Sequence, residues 1–348
     1  MSSRQRTHKS TTRARRQARG PREEYAKPQE LDAQTGLPSH LVEAVRAQAG
    51  ELVDTIIAGW GQDRPVTMRV NTLRAGLDEV TRELDEARIA YAHVPWYADA
   101  LVLADGVRER DVWALDAYAQ GKVYLQSLSS MLPPLALEPR PGADVLDMCA
   151  APGGKTSELA ALAPARAGQR AARITACELS APRAEKLEHN LSKLGATNVQ
   201  VMRTDARRLD DWFSFDQVLL DAPCTGSGTV HTHDEHAARY LTPELAARVE
   251  RSQRALLDRG LTVLKAGGDL VYSTCSILPR ENEDIVEWAL ARHRDCELVD
   301  VSLPHGMAGT DTDDVAPLAL PGRLPGTLTV CPSRLYEGFF VAKIRKLG

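Results

Sequence analysis

The stretch "VLDMCAAPGGKT", Val145 to Thr156, decides the fold. An apolar run ends in Asp147, and a loop of small residues then leads into Gly153, Gly154, Lys155 and Thr156. The ending imitates a phosphate-binding loop, G-x-x-x-x-G-K-[ST], whose first glycine opens the turn around the phosphates. Counted back from Lys155 that position is Cys149, and a cysteine resists the backbone angles that glycine takes freely. A nucleotidase reading is therefore disfavoured, and no G-x-G-x-x-G dinucleotide motif is present either. What remains is a strand end, a glycine pair that lets a ligand approach the backbone, and a helix start that favours a carboxylate.

Outward from this loop, strands alternate with helices. "ADVLDM", "RITACEL", "VQVMRTD", "DQVLLDA" and "DLVYSTCS" are near-continuous apolar runs, as expected of strands buried on both faces of a parallel sheet. Between the second and third, "SAPRAEKLEHNLSKLG" has Ser180 to cap a helix, Pro182 in its first turn and Gly195 to stop it. The fold class is α/β, a Rossmann-like doubly wound sheet whose ligands bind beyond the carboxyl ends of the strands. Glu178 closes the second strand, where an acid hydrogen-bonds ribose hydroxyls, and Asp205 closes the third, placed to accept from an adenine amine. Each acid taken singly is as readily a helix N-cap. Beside the glycine loop, the pair describes a nucleoside that carries a small zwitterion, and S-adenosylmethionine fits.

The fourth strand runs into "DAPCTGSGT" and the fifth into "STCSILPRENED", so Cys224 and Cys275 arrive at the same edge. A buried structural cysteine is the ordinary reading of either one alone. Two together suit methylation at carbon 5 of a pyrimidine, a carbon too poor a nucleophile to take a sulfonium methyl unaided. A thiolate that adds to carbon 6 activates it. An acid such as Asp221 can stabilise the adduct at ring nitrogen 3, and a second thiol can assist release. The residues alone do not rank the two thiols.

These motifs, with "YLQSLSSMLPP" before them and "GFFVAKIRK" at the end, resemble the Sun/RsmB-type family of RNA 5-methylcytosine methyltransferases over about Arg64 to Lys346. The resemblance implies S-adenosylmethionine held by Cys149, Ala150, Ala151, Pro152, Gly153, Gly154 and Lys155, with Glu178, Arg183, Asp205 and Asp221. It makes Cys275 the nucleophile and Cys224 the residue that assists release, with Asp221 and Lys155 at the target base. It implies RNA as substrate, ribosomal RNA ahead of transfer RNA, and a monomer. A small α+β RNA-recognition-like module, with a helical segment before it, is expected over residues 32–126, and the methyltransferase domain over 127–348. The main rival is an RNA-binding assembly factor with an idle site, which the presence of both cysteines and all the acids disfavours.

Two departures stand out. Glu178 replaces the family's usual aspartate. "HTHDEH" (His231, His233, Asp234, His236) follows Cys224 where the family has basic residues. It resembles a zinc motif, but Glu235 stands where that motif needs aspartate and no partner ligands follow, so no metal is expected and a solvated loop touching RNA is.

The 348 residues carry a net charge of −4, unevenly placed. Residues 1–31 form a basic tail, whose first 27 residues carry Arg4, Arg6, Lys9, Arg13, Arg15, Arg16, Arg19, Arg22 and Lys27 against Glu23 and Glu24. With almost no apolar residues it has nothing to bury and is expected to be disordered. It lacks the apolar face of an organelle presequence. No run approaches a membrane span, and the six cysteines form no C-x-x-C pair, so reduced thiols and a cytoplasmic location are expected. Lys343, Arg345 and Lys346 are candidates to meet phosphates, and Gly309–Gly322 reads as an acidic surface loop.

Overall fold

The computed structural model describes residues 29–165, 168–301 and 317–348. The expected basic tail, up to residue 28, and the expected acidic loop, up to residue 316, lie outside them.

The helical segment expected before the small module is two helices, α1 (Ser39–Ala49) and α2 (Val53–Trp60). Gly50, at φ 52°, turns the chain between them through a short 3-10 segment. The small module then runs β1 (Thr67–Val70), α3 (Leu77–Glu86), β2 (Tyr91–Val94), β3 (Tyr97–Leu103), α4 (Glu109–Trp113), α5 (Asp116–Ala119) and β4 (Val123–Leu125). Its sheet is antiparallel throughout, in the order β2-β3-β1-β4. Met68, Val70, Leu101 and Leu103 form its own core with Val80 and Leu84 of α3.

The larger unit begins with α6 (Leu128–Leu137), which carries Pro133 and Pro134 inside it. It continues with β5 (Asp144–Asp147), α7 (Gly154–Leu162), β6 (Arg173–Cys177), α8 (Ala181–Leu194), β7 (Val199–Met202) and β8 (Phe215–Asp221). Next come α9 (Glu235–Tyr240), α10 (Pro243–Val263), β9 (Leu264–Thr274), α11 (Glu283–Arg292), β10 (Cys296–Val299), β11 (Ala319–Leu320), β12 (Leu328–Val330) and β13 (Phe339–Lys346). The sheet order is β11-β12-β13-β9-β8-β5-β6-β7, with β10 on β13. Strands β7, β6, β5, β8 and β9 are parallel, and β13 returns antiparallel to β9.

Alternation along the strands feeds two cores. Val145, Ile174, Leu219 and Val271 face α6, α7 and α8, whereas Leu146, Val218, Leu220 and Tyr272 face α10 and α11. The strand order reverses between β5 and β8, so the loops after Asp147 and Asp221 flank the switch point, where such sheets hold ligands.

The small module is fastened to the large unit by buried polar contacts. Asn71 donates to the carbonyls of Gly121 and Leu194, both at 2.8 Å. Arg69, fully buried, reaches Ser157 Oγ at 3.0 Å, and Trp96 Nε1 donates to Tyr336 Oη at 2.8 Å.

The basic residues of β13 are corrected by register. Phe340 pairs with Thr274 and Arg345 with Asp269, which puts the charges at the end of the sheet away from the cysteine loop. Lys343 is buried beside Glu138, Arg345 holds Asp269 at 2.8 Å, and Lys346 donates to the Leu261 carbonyl. They serve the fold.

Candidate active site at the strand ends

The opening loop is built over a buried carboxylate. Asp147, 1% exposed, accepts from Thr156 Oγ1 at 2.7 Å and from the Cys149 amide at 3.3 Å, which ties the loop's start to its end. Burial pushes its carboxyl up to about 6 against those two hydrogen bonds. Gly153 takes φ 110°, which a side chain rarely adopts, and a Cβ on Gly154 would lie 2.9 Å from the Tyr124 ring. Both glycines are required by the backbone path and by the small module packed over it.

Glu178 and Asp205 each spend one oxygen locally, on the amides of Ser180 at 2.8 Å and Arg207 at 3.0 Å. The other oxygen of each faces an arginine. Arg183 lies 3.4 Å from Glu178 and also donates to the Ala151 carbonyl at 2.9 Å, joining acid to loop. Arg207 grips Asp205 at 2.9 and 2.8 Å and holds its carboxyl below the usual range. Leu179, beside Glu178, is 64% exposed and offers a flat apolar surface there. The sequence reading passed over it, although a leucine directly after a strand-end acid was a usable signal.

Cys224 and Cys275 are half-buried, with sulfurs 3.1 Å apart. The other four cysteines are structural or backbone contributors. Burial pushes Cys177 up to about 12 and Cys296 and Cys331 to about 11, and it raises Cys149 well above its ordinary value. Around the thiol pair lies a buried polar network absent from the sequence reading. The Glu281 carboxylate, fully buried, accepts from the Thr225 amide at 2.8 Å, Thr225 Oγ1 at 2.5 Å, Ser276 Oγ at 3.1 Å and Gln253 Nε2 at 3.3 Å. It thereby joins the Cys224 loop, the Cys275 loop and α10. Ser227 and Ser276 share a bond of 2.8 Å, and a Cβ on Gly228 would lie 1.9 Å from the Gly338 carbonyl.

Cys224 is raised well above its ordinary value, first by its hydrogen bond to Cys275, then by burial, with the Glu281 carboxylate adding to both. Burial works against the Lys155 ammonium, but Asp221 outweighs it and Cys275 adds to the effect, so the charge is held. Lys155 Nζ lies 2.8 Å from Asp221 and donates to Ser130 Oγ at 2.6 Å, while Asp221 also accepts from Ser273 at 2.8 Å.

A cavity of about 420 Å³ opens over this edge, lined by Asp147, Cys149, Ala150, Ala151, Pro152, Gly154, Lys155 and Asp221. Its other wall comes from the small module and the segment before β13, including Arg64, Tyr124 and Glu337.

The HTHDEH loop is held by the protein. The His233 amide donates to the Thr35 carbonyl at 2.7 Å and Thr232 to the Trp60 carbonyl at 3.1 Å, while Val230 and Ala237 pack with Leu41 and Ile56. Its two ends anchor the N-terminal helices, while His233 and Glu235 between them stay exposed, as expected of a solvated loop. Among the described residues no cluster of three or more His, Cys, Asp or Glu has metal-binding geometry.

A doubly wound sheet with a glycine loop at its switch point and acids on the next two strand ends defines a Rossmann-like methyltransferase fold. Residues 134–345 match the family described as 16S rRNA methyltransferase RsmB/F, and residues 37–108 match the ferredoxin-like domain of the same proteins. The chain belongs to the RsmB/F methyltransferase family. It is 35% identical over 318 residues to ribosomal RNA small subunit methyltransferase F of Serratia proteamaculans, covering 89% of this chain and 63% of that protein. It is 32% identical to ribosomal RNA small subunit methyltransferase B of Pseudomonas syringae pv. tomato, covering 90% of this chain and 66% of that one. The chain thus spans just under two thirds of either relative. Among solved structures, a methyltransferase homolog from Pyrococcus horikoshii superposes with a TM-score of 0.71 at 33% identity, covering 89% of this chain and all of that one.

Proposed function

We propose that the protein methylates carbon 5 of a cytosine in RNA, with S-adenosylmethionine as donor and small-subunit ribosomal RNA as the substrate class. The single observation that carries this reading is the pair of sulfurs 3.1 Å apart beside the Lys155–Asp221 ion pair. The site suits the cofactor. Glu178 can take ribose hydroxyls, and Leu179 presents an open apolar face for adenine. Asp205 keeps accepting capacity beyond its two arginine bonds. Bound there, S-adenosylmethionine supplies an electrophilic methyl group.

The remaining chemistry belongs to the chain. A Cys275 thiolate adds to carbon 6 of the cytosine, and the displaced electron pair makes carbon 5 nucleophilic. Lys155 has three donors, two of them engaged by Asp221 and Ser130, and the third can stabilise charge gathering on the ring's nitrogen 3 and carbonyl oxygen. Asp221, ion-paired, acts as acceptor for the exocyclic amine and aims the lysine. After methylation the carbon 5 proton leaves to a base, the sulfur–carbon 6 bond breaks, and its electrons return to Cys275. Cys224, its sulfur 3.1 Å from that of Cys275, can hydrogen-bond the departing sulfur and so assist release.

The test is methyl transfer to unmodified 16S ribosomal RNA, followed by a denaturing gel. Cys275→Ala is expected to abolish transfer. Cys224→Ala is expected to accumulate a covalent protein–RNA band. Reversed phenotypes would exchange the two roles, and full activity in both variants would sink the mechanism.

A further inference from the structure

A second cavity, of about 510 Å³, has Pro223 and Cys224 in one wall and Arg207, Arg248, Arg251 and Tyr240 around the rest. It shares no lining residue with the first cavity and none of its lining residues is acidic. Arg207 is committed to Asp205, but Arg248 and Arg251 have no carboxylate partner among the described residues. The acid between them, Glu250, is already held by Arg254 at 2.9 Å and Arg280 at 2.8 Å. Two guanidinium groups therefore stand exposed and uncompensated beside the thiol loop.

Their placement is fixed. Thr242 caps α10 through the Leu245 amide at 3.1 Å, and Leu245, Val249, Leu256 and Leu257 bury one face of the helix. From that face Gln253 donates to the Pro223 carbonyl at 3.0 Å, which locks the helix to the residue preceding Cys224. Arg248 and Arg251, three positions apart, share the outer face. Tyr240, 52% exposed, adds an open aromatic ring to the same groove.

We infer that this groove holds the sugar–phosphate backbone of the RNA next to the target cytosine, with Arg248 and Arg251 each gripping a phosphate. The assignment rests on the functional reading above and adds where the strand runs. A base can reach Cys275 only when drawn out of its stack, and the phosphates beside it must then be held in register with the sulfur. Planar guanidinium groups bind phosphate through paired hydrogen bonds, and an exposed tyrosine gives the neighbouring base a surface to stack on.

The test titrates a short fluorescent single-stranded RNA containing cytosine against the full chain over a range of salt, beside calorimetry with S-adenosylmethionine. In Arg248→Ala/Arg251→Ala, RNA binding should weaken roughly tenfold to a hundredfold. The log–log salt slope should shrink by about 1.4, two phosphates at ~0.7 each. Cofactor affinity should stay as in the parent, which also reports that the variant is folded. Arg248→Lys/Arg251→Lys should recover most of the salt slope and part of the affinity. An unchanged slope and affinity, or a loss of cofactor binding in place of RNA binding, overturns the assignment. A parent protein that binds cofactor but shows no salt-dependent RNA binding takes down the functional reading, and this one with it.

Discussion

The strand-end site has two halves that are secured in opposite ways. Around Cys224 and Cys275 the supports are interior. Glu281 is fully buried with four donors on its carboxylate, and Asn282 bonds Thr274 at 2.6 Å and the Ser276 carbonyl at 2.9 Å. Around Glu178 and Asp205 the supports are arginines whose side chains are 59% and 39% exposed. A buried network with several donors on one carboxylate fixes positions before any ligand arrives, whereas an exposed ion pair exchanges partners at little cost. The half with the two thiols is preorganised. The half proposed to bind the nucleoside is held by groups a ligand could replace.

The largest effect is expected at Glu281. Glu281→Gln turns an amide donor toward Thr225 or Ser276, which already donate, and strands a buried polar group at a cost of about 3 kcal/mol. Chemical denaturation should register that loss, and methyl transfer should fall more than cofactor affinity because both thiol loops lose their common anchor. Equal falls in the two would place Glu281 in the scaffold generally.

Asp147 provides the contrast. It is a buried carboxylate of the half proposed to bind the nucleoside, yet it has only two donors, and burial pushes it up to about 6 from an ordinary 3.8. Between those values the native protein holds a proton that the unfolded chain has lost, so stability falls as pH rises through this window. The total loss across it amounts to on the order of 3 kcal/mol. Asp147→Asn should remove it, and the difference in unfolding free energy between parent and variant, followed from pH 4 to 7, checks the sign. A difference that grows in the parent's favour as pH rises would mean the carboxylate is stabilised by its neighbours.

The same division explains what the sequence disclosed. The parallel strands, the glycine loop, both acids and both cysteines were legible because each is a local pattern at a strand end, spaced by the period of the fold. The Glu281 network was not, since its members come from three stretches (Thr225, Gln253, and Ser276 with Glu281) and nothing in the spacing between those stretches marks them as neighbours. Helix α6 was obscured by Pro133 and Pro134, which tertiary packing tolerates. Strand β2, "YAHV", has one buried residue in four and too little apolar signal to announce itself. The basic end of β13 misled because composition says nothing of which end of the sheet a strand's charges reach.

The smallest change in stability, and the sharpest test of the comparison, belongs to Asp205 and Arg207. Their pair is partly exposed, Arg207 at 39% and Asp205 at 14%, so Asp205→Ala should cost about 1 kcal/mol of stability. Cofactor binding should nevertheless weaken about tenfold, the effect of one hydrogen bond to a charged group. Arg207→Ala separates two meanings of the ion pair. Were Arg207 a partner that the ligand displaces, its removal would leave Asp205 without a competitor, and cofactor affinity measured by calorimetry would hold or improve. The Asp205 carboxyl, now kept low by Arg207, would relax toward its ordinary range and still be ionised at neutral pH. Arg207→Ala protein that binds cofactor as weakly as Asp205→Ala would instead make the arginine part of the binding surface, and the nucleoside half would prove as preorganised as the thiol half.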